Sequence, residues 1–332
     1  VKLDDGVSRE RADPMTERTK ILIDCDPGHD DAVALLFAAR HLDLVAVTTV
    51  HGNNSLENTT RNALAILELA GIDVPVAAGC SEPLVQSSAP RGEIHGRTGL
   101  DGADIPAPTR RPIDTHAVDL IIALASRHRG ELVVALIGPQ TNFAMALKRE
   151  PRLKDWVREV TVMGGSAGLG NITPVAEFNV HCDPEAASVV FESGLPIRMV
   201  GYNVTRQTGF GAGDLQRLKA SGRKIAAVIG DLMGFYLAGQ NRIFGLSIAP
   251  VHDVCAIVPY VAPELIRYVE TSVRVELAGR HTRGMTVCDL RGVRPGVPAY
   301  IRPAEAATTK VALEADSRKL IDLVVDAVLG FA

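Results

Sequence analysis

The residues best suited to chemistry lie in one stretch near the start of the chain, KILIDCDPGHDDAVALL at 20–36. It holds four aspartates, Asp24, Asp26, Asp30 and Asp31. Carboxylates so crowded repel one another, and their pKa values rise unless a cation compensates. Hard divalent cations take oxygen ligands of this kind. A single Asp before a helix is ordinarily a cap. Asp30 and Asp31 also fall where the first turn of a helix favours negative charge. Four carboxylates around Pro27-Gly28 exceed what a cap requires, so the stretch reads as a metal site.

Further polar candidates are scattered downstream. Glu177, Phe178 and Asn179 follow Pro174. If that segment is extended, Glu177 and Asn179 point one way and Phe178 the other. Two polar groups beside an aromatic suit a hydroxylated ligand, and an exposed loop is the equal alternative. His252-Asp253 reads either as a local hydrogen-bonding pair or as part of a site. Asn53 and Asn142 close turns, a common place for Asn. His29 and His95 lie in loops and take no assigned role, and Cys25 reads as a packed thiol.

The elements that must position these residues follow from the apolar pattern. Ile21, Leu22 and Ile23 read as a buried strand, Pro27-Gly28 as a turn, and AVALLFAAR as a helix. The same strand–turn–helix order recurs. Strands are expected over 43–50, 74–78, 131–137, 157–163 and 196–200. Helices are expected from Ser55 to about Ala70, over Ala117–Arg129, and from Asp183-Pro184 onward. Such alternation predicts a mainly parallel sheet flanked by helices. Ligands bind beyond the carboxyl ends of such strands. The turns DPGHDD, GNN, GPQTN and MGGS would therefore meet there. Beyond residue 200, Asp214 to Phe244 reads as two helices broken near Ser221-Gly222. Alternation from Val269 through Leu277, a turn between Gly279 and Gly284, and Met285, Val287 and Asp289 read as an antiparallel hairpin. A strand over Lys310–Leu313 and a helix over Ser317–Leu329 close the chain. The loop Gly79–Asp114, with HGRTGLDG inside it, is long enough to suggest function or disorder.

Composition narrows the class. The chain has 332 residues, 46% hydrophobic and 22% charged, with a formal charge of −4. That is globular composition with material for a large core, and nothing favours nucleic acid or an anionic membrane. No apolar run is long enough to span a bilayer. Five single cysteines without a CxxC pair fit reduced thiols in a cytoplasmic protein. The polar stretch 1–18 reads as a disordered extension, with Met15 as an alternative start. Residues 19–332 read as one domain.

DCDPGHDDA at 24–32 resembles the signature of the inosine–uridine nucleoside hydrolases. The resemblance continues through GNN at 52–54, TRNAL at 60–64, GPQTN at 138–142, MGG at 163–165, GNITPVAEFN at 170–179, DPEAA at 183–187 and VHD at 251–253. It covers nearly the whole chain after the N-terminal stretch, in order. It implies the α/β, Rossmann-like fold of that family and a calcium ion at the carboxyl edge of the sheet. Asp26, Asp31 and Asp253 match its carboxylate ligands and Thr141 its main-chain carbonyl ligand. Asp30 matches the general base for the attacking water. Asn53, Asn171, Glu177 and Asn179 match residues that grip ribose hydroxyls, Met163 packs beneath the sugar, and His252 matches a histidine near the leaving base. The implied reaction is direct hydrolysis of a ribonucleoside N-glycosidic bond with inversion, in nucleoside salvage or catabolism. A homodimer or homotetramer is implied as well. Arg206 stands where the family pattern carries His, and Tyr236, Gln240 and Phe244 fall in the segment that bears on the choice of base.

Two other readings compete. ILIDCDPG superficially resembles the DxD of aspartyl-phosphate phosphatases, with Asp24 as nucleophile and Asp26 as acid. That motif wants Thr or Val where Gly28 stands, and it gives GPQTN, EFN and VHD no role. A non-enzymatic, calcium-dependent nucleoside sensor would keep the metal ligands and lose the base, but Asp30 is present.

Overall fold

Short β-favouring apolar runs, each followed by Gly, Pro or Asn, build the sheet. In the computed structural model, which describes residues 18–87, 92–293 and 308–331, the first six strands are β1 Lys20–Cys25, β2 Asp43–Thr49, β3 Val76–Ala78, β4 Val133–Leu136, β5 Glu159–Met163 and β6 Ile197–Val200. Then come β7 Gly209–Phe210, β8 Ala249–Pro250, β9 Ile266–Thr271, β10 Val273–Val275, β11 Thr286–Cys288 and β12 Thr309–Ala315. The expected disordered stretch and Met15 lie outside the described residues.

Eight strands form the central sheet in the order β3-β2-β1-β4-β5-β6-β12-β9. All neighbours run parallel except β12 and β9, which are antiparallel. Chain order reverses between β1 and β4, so a crevice opens at their carboxyl ends, where open α/β sheets bind ligands.

Side-chain alternation gives the sheet two cores. Ile21, Ile23 and Cys25 of β1 pack on one face with helix His29–His41, while Leu22 packs on the other with Val134, Leu136 and Phe143. The helices start where local chemistry allows. Ser55 Oγ accepts from Asn58 N at 3.4 Å to begin Leu56–Leu69. Asp183 accepts from Ala186 N at 3.0 Å, with Pro184 in the first turn, to begin Pro184–Phe191. The expected break near Ser221-Gly222 separates Ala212–Lys219 from Lys224–Phe244, and Gly245 ends the latter at φ 68°.

Two local expectations are corrected. The alternating run from Val269 is not one strand. It divides at Ser272: β9 pairs with β12 in the central sheet, and only β10 pairs with β11 in the hairpin. Alternation reports which face is buried, not which backbone supplies the hydrogen bonds. The segment at Glu177 is not extended either. Phe178–Cys182 is a short helix with Glu177 at its N-cap, accepting from Asn179 N and Val180 N. Glu is not a favoured cap residue, so the sequence carried little sign of this.

Candidate active site

Strand alternation sorts the four aspartates. Asp24 is still inside β1 and points to the face opposite Ile23. Its Oδ1 accepts from Thr48 Oγ1 at 2.6 Å and Asn142 Nδ2 at 2.8 Å. Burial raises its pKa to about 7. It is a buried tie between β1, β2 and the GPQTN turn, and Asn142 is its partner. Asp24 therefore presents no nucleophile to the crevice, which removes the phosphatase reading.

Asp26 lies past the end of β1. Its Oδ2 accepts the backbone N–H of Asn53 at 2.6 Å, and Asn53 Nδ2 reaches back to the Asp26 carbonyl at 3.2 Å and to Asp31 Oδ2 at 3.3 Å. Two glycines make room for this carboxylate. A Cβ at Gly138 would come within 2.6 Å of Asp26 Oδ1, and one at Gly52 would collide with Oδ2. The turns after β1, β2 and β4 thus close on one carboxylate, as the sheet order requires.

Asp30, Asp31 and Asp253 bring carboxylate oxygens within 4.8 Å of one another. Burial first, and then the neighbouring carboxylates, push Asp30 to about 8 and Asp253 well above the usual range. Burial raises Asp31 to about 6, against the backbone N–H of Gly28, which donates to its Oδ2 at 2.8 Å. Asp26 is raised well above its ordinary value by burial and by Asp31. The charges of Asp30 and Asp31 add to the rise at Asp253, as crowded carboxylates do when no cation compensates.

The donor set fits a hard cation. Asp26 Oδ1 and Asp31 Oδ1 are buried and have no hydrogen-bond partner among the described residues. Buried carboxylate oxygens are ordinarily satisfied, and a divalent ion would satisfy these while offsetting the repulsion. Thr141, at the start of helix Thr141–Arg149, is held nearby through its hydroxyl, 2.7 Å from Asp183 Oδ2 and 3.0 Å from His51 Nε2.

Above this cluster lies a cavity of about 210 Å³. Asp30, Asn53, Asn171, Asn179 and Asp253 line it with polar groups, and Met163 with its thioether. Asn171 Oδ1 is buried without a partner. Asn179 Nδ2 is fixed by the carbonyls of Ile137 at 2.9 Å and Met163 at 3.1 Å. Glu177 is not among the lining residues. Its Oε2 accepts from Gly165 N and Val180 N, and its Oε1 only from Asn179 N. Burial raises Glu177 to about 7.

The remaining lining is aromatic and apolar, including Tyr202, Tyr236, Phe244, His95 and His252. The segment before VHD is thereby placed: Tyr236, Gln240 and Phe244 all face the cavity. Arg206 does not line it, and its guanidinium lies 5.7 Å from the Tyr202 ring centroid. Burial lowers His252 to about 4, so the ring is neutral near pH 7, and its Nδ1 lies 2.8 Å from Thr205 Oγ1. Sequence reading gave no role to His95 or Tyr202, which come from two short helices, Gly92–His95 and Tyr202–Thr205, with no shared motif.

A profile of the family described as inosine-uridine preferring nucleoside hydrolase matches residues 21–322. The chain belongs to this family. As a nucleoside hydrolase it is an N-glycosyl hydrolase. Among its relatives is a pyrimidine-specific ribonucleoside hydrolase, RihA, of Escherichia coli, 37% identical over 94% of this chain and 99% of the relative. Two solved structures are also similar. A purine-preferring ribonucleoside hydrolase from Gardnerella vaginalis has a TM-score of 0.86 and 31% identity over 94% of this chain and 98% of its own. A plant nucleoside hydrolase has a TM-score of 0.85 and 32% identity over 94% of this chain and 99% of its own. The nucleoside hydrolase fold of this chain is thus the mostly parallel sheet with flanking helices described above. No helix among the described residues is long and apolar enough to cross a membrane.

Proposed function

We propose that the protein is a calcium-dependent ribonucleoside hydrolase that releases free nucleobase and ribose by direct attack of water. The observation that carries this reading is the convergence of the Asp30, Asp31 and Asp253 carboxylates, with Asp30 and Asp253 lining a cavity that amide, aromatic and aliphatic side chains share. Amides suit sugar hydroxyls, and rings suit the flat face of a base. The relatives' names divide between purine and pyrimidine, so the reading commits to ribonucleosides and not to one base.

Asp26, Asp31, Asp253 and the Thr141 carbonyl are proposed to hold the calcium. Bound there, the ion would polarise water and the sugar diol. Asp30 takes the proton of the attacking water; burial and Asp31 raise its pKa, and a cation held by the neighbouring carboxylates would favour the ionised form that a base needs. Asn53, Asn171 and Asn179 orient the ribose, with Asn171 Oδ1 free to accept a hydroxyl proton. Glu177 contributes through Oε1, which keeps lone-pair capacity beyond its one backbone bond. Met163 packs beneath the sugar. His252 Nδ1 lies 2.8 Å from the Thr205 hydroxyl; with Nδ1 accepting, the neutral ring donates a hydrogen bond from Nε2 to the departing base, and full proton transfer requires its imidazolium form. Because water attacks the sugar directly, configuration inverts and no covalent ribosyl intermediate forms.

The role proposed is in nucleoside salvage or catabolism, in the cytoplasm, as a homodimer or homotetramer. The site belongs to one domain spanning 19–332. Release of free base and ribose from a panel of nucleosides, read by chromatography with and without calcium, tests the reading. A protein that binds nucleosides without cleaving them would instead be the sensor.

A further inference from the structure

We propose that His29 is a positioning residue: it holds His95 in the tautomer that presents a bare Nε2, a hydrogen-bond acceptor, to the nucleobase end of the cavity. The inference rests on reading that cavity as a nucleoside site.

His29 is fully buried in the first turn of helix His29–His41, beside the acidic cluster, yet its ring bonds run away from it. His29 Nε2 lies 2.8 Å from the carbonyl oxygen of Asp101. A carbonyl only accepts, so Nε2 carries the proton. In a neutral imidazole the other nitrogen is then bare. That nitrogen, Nδ1, lies 3.0 Å from Nδ1 of His95. The two rings are tilted by only 25° with centroids 5.3 Å apart, an edge-to-edge arrangement that suits an N–H···N bond. His95 Nδ1 must donate, so His95 Nε2 is bare. The ring of His95 lines the cavity.

One contact argues the other way. The backbone N–H of His29 also points at His95 Nδ1, at 3.3 Å. If His95 Nδ1 accepted from it, a neutral His29 would have to turn a lone pair on the Asp101 carbonyl at 2.8 Å. Losing one long bond costs less than facing two acceptors at that distance.

The pair is built to stay in place. Tyr236 lies nearly parallel to both rings, with centroids 5.4 Å from His29 and 5.1 Å from His95. Phe235 stacks on His29 at 5.6 Å. Gly28 leaves the space that the His95 ring fills, since a Cβ there would clash with it. The Asp101 loop that supplies the carbonyl is fixed in turn by Asp101 Oδ1 and Oδ2, which accept from Thr98 N and Arg97 N. An acceptor at His95 Nε2 would favour bases that present an N–H or amino group there.

The test combines NMR with kinetics. Long-range proton–nitrogen correlation of the nitrogen-15-labelled protein, with His95 assigned by comparison with His95→Gln, reads the tautomer without any change at His29. The expected result is Nδ1–H on His95. His29→Leu keeps bulk and removes the acceptor. It should shift His95 toward the Nε2–H form and lower kcat on ribonucleosides about tenfold or more, the scale seen when a histidine's orienting partner is removed at metal sites. Turnover of p-nitrophenyl riboside should change little. His29→Asn, which restores an acceptor oxygen, should recover much of the loss. An Nε2–H tautomer in the unaltered protein, or an equal loss on all substrates in His29→Leu, overturns the proposal. An unaltered protein that cleaves no riboside overturns the nucleoside reading instead, and the NMR result still decides what His29 does to His95.

Discussion

The carboxylate of Asp26 accepts the backbone N–H of Asn53 at 2.6 Å, joining the turn after β1 to the turn after β2. That bond uses one of its oxygens and leaves Oδ1 buried without a partner. The acidic cluster is therefore preorganised by the backbone of neighbouring turns before any ion arrives. Elemental analysis of protein purified without chelators should find about one calcium per chain. Added calcium should raise the melting temperature, since a ligand at 100 times its Kd stabilises by ~2.7 kcal/mol. Full activity after thorough metal removal would defeat the site.

Asp24 and Asp26 stand two residues apart and should respond oppositely to amidation. Asp24→Asn keeps the Oδ1 that receives Thr48 and Asn142, so activity should stay close to the parent's, while the new NH2 replaces a buried Oδ2 with no partner among the described residues and lowers stability by ~1–3 kcal/mol. Asp26→Asn should lose calcium affinity and activity together. Asp24→Ala should destabilise the protein by stranding two buried donors, at ~1–3 kcal/mol for each. Denaturant titration and calcium binding on the three variants separate the roles. Loss of calcium binding in Asp24→Asn would mean that Asp24 acts at the ion.

The sugar end should be blind to the base. Glu177→Ala should depress turnover of all ribonucleosides alike, and 2′-deoxynucleosides should be poor substrates. A Glu177→Ala enzyme whose only change is the ranking of bases would refute its assignment to the ribose.

Asp30 and His252 should separate by leaving group. Asp30→Asn keeps shape and removes the base, so kcat should fall ~10²–10⁴-fold on every substrate. His252→Ala should hurt inosine and uridine far more than p-nitrophenyl riboside, whose leaving group needs no proton. Both kcat and kcat/KM are needed for each pair, because an interaction made only in the transition state lowers both. Equal losses on all three substrates would make His252 a structural partner of Thr205.

Much of this was legible in the sequence because it is written locally. Strand–turn–helix order follows from apolar runs and the Gly, Pro and Asn that end them. The meeting of distant turns then follows from the parallel topology alone. Asp26, Asp30 and Asp31 stood out, together with Asp24, because clustered acids are costly without a cation, whereas Asp253 was reached only through the family resemblance. What was not legible depends on direction and on partners far away. Asp24 lies inside β1, while Asp26, two residues on, lies past its end, where strand alternation no longer fixes its direction. His29 meets His95 across 66 residues of chain, through a loop with no periodicity. Tyr202 reaches the cavity from the end of β6. Glu177 looked like half of an extended pair because Glu, unlike Asp, is not a favoured N-cap residue.

The cavity walls come from different sources. The acidic groups come from the first turn of helix His29–His41 and from the start of Val254–Ile257. Tyr236, Gln240, Ile243 and Phe244 all come from the last turns of one helix, Lys224–Phe244. Ile243 and Phe244 are about two-fifths exposed, so they tolerate exchange more readily than buried core residues. Much of the wall facing away from the acidic cluster is therefore carried on a single helix, whose Tyr236 also packs against His29 and His95. Changes at the half-exposed Ile243 and Phe244 would alter that wall without touching the buried carboxylates.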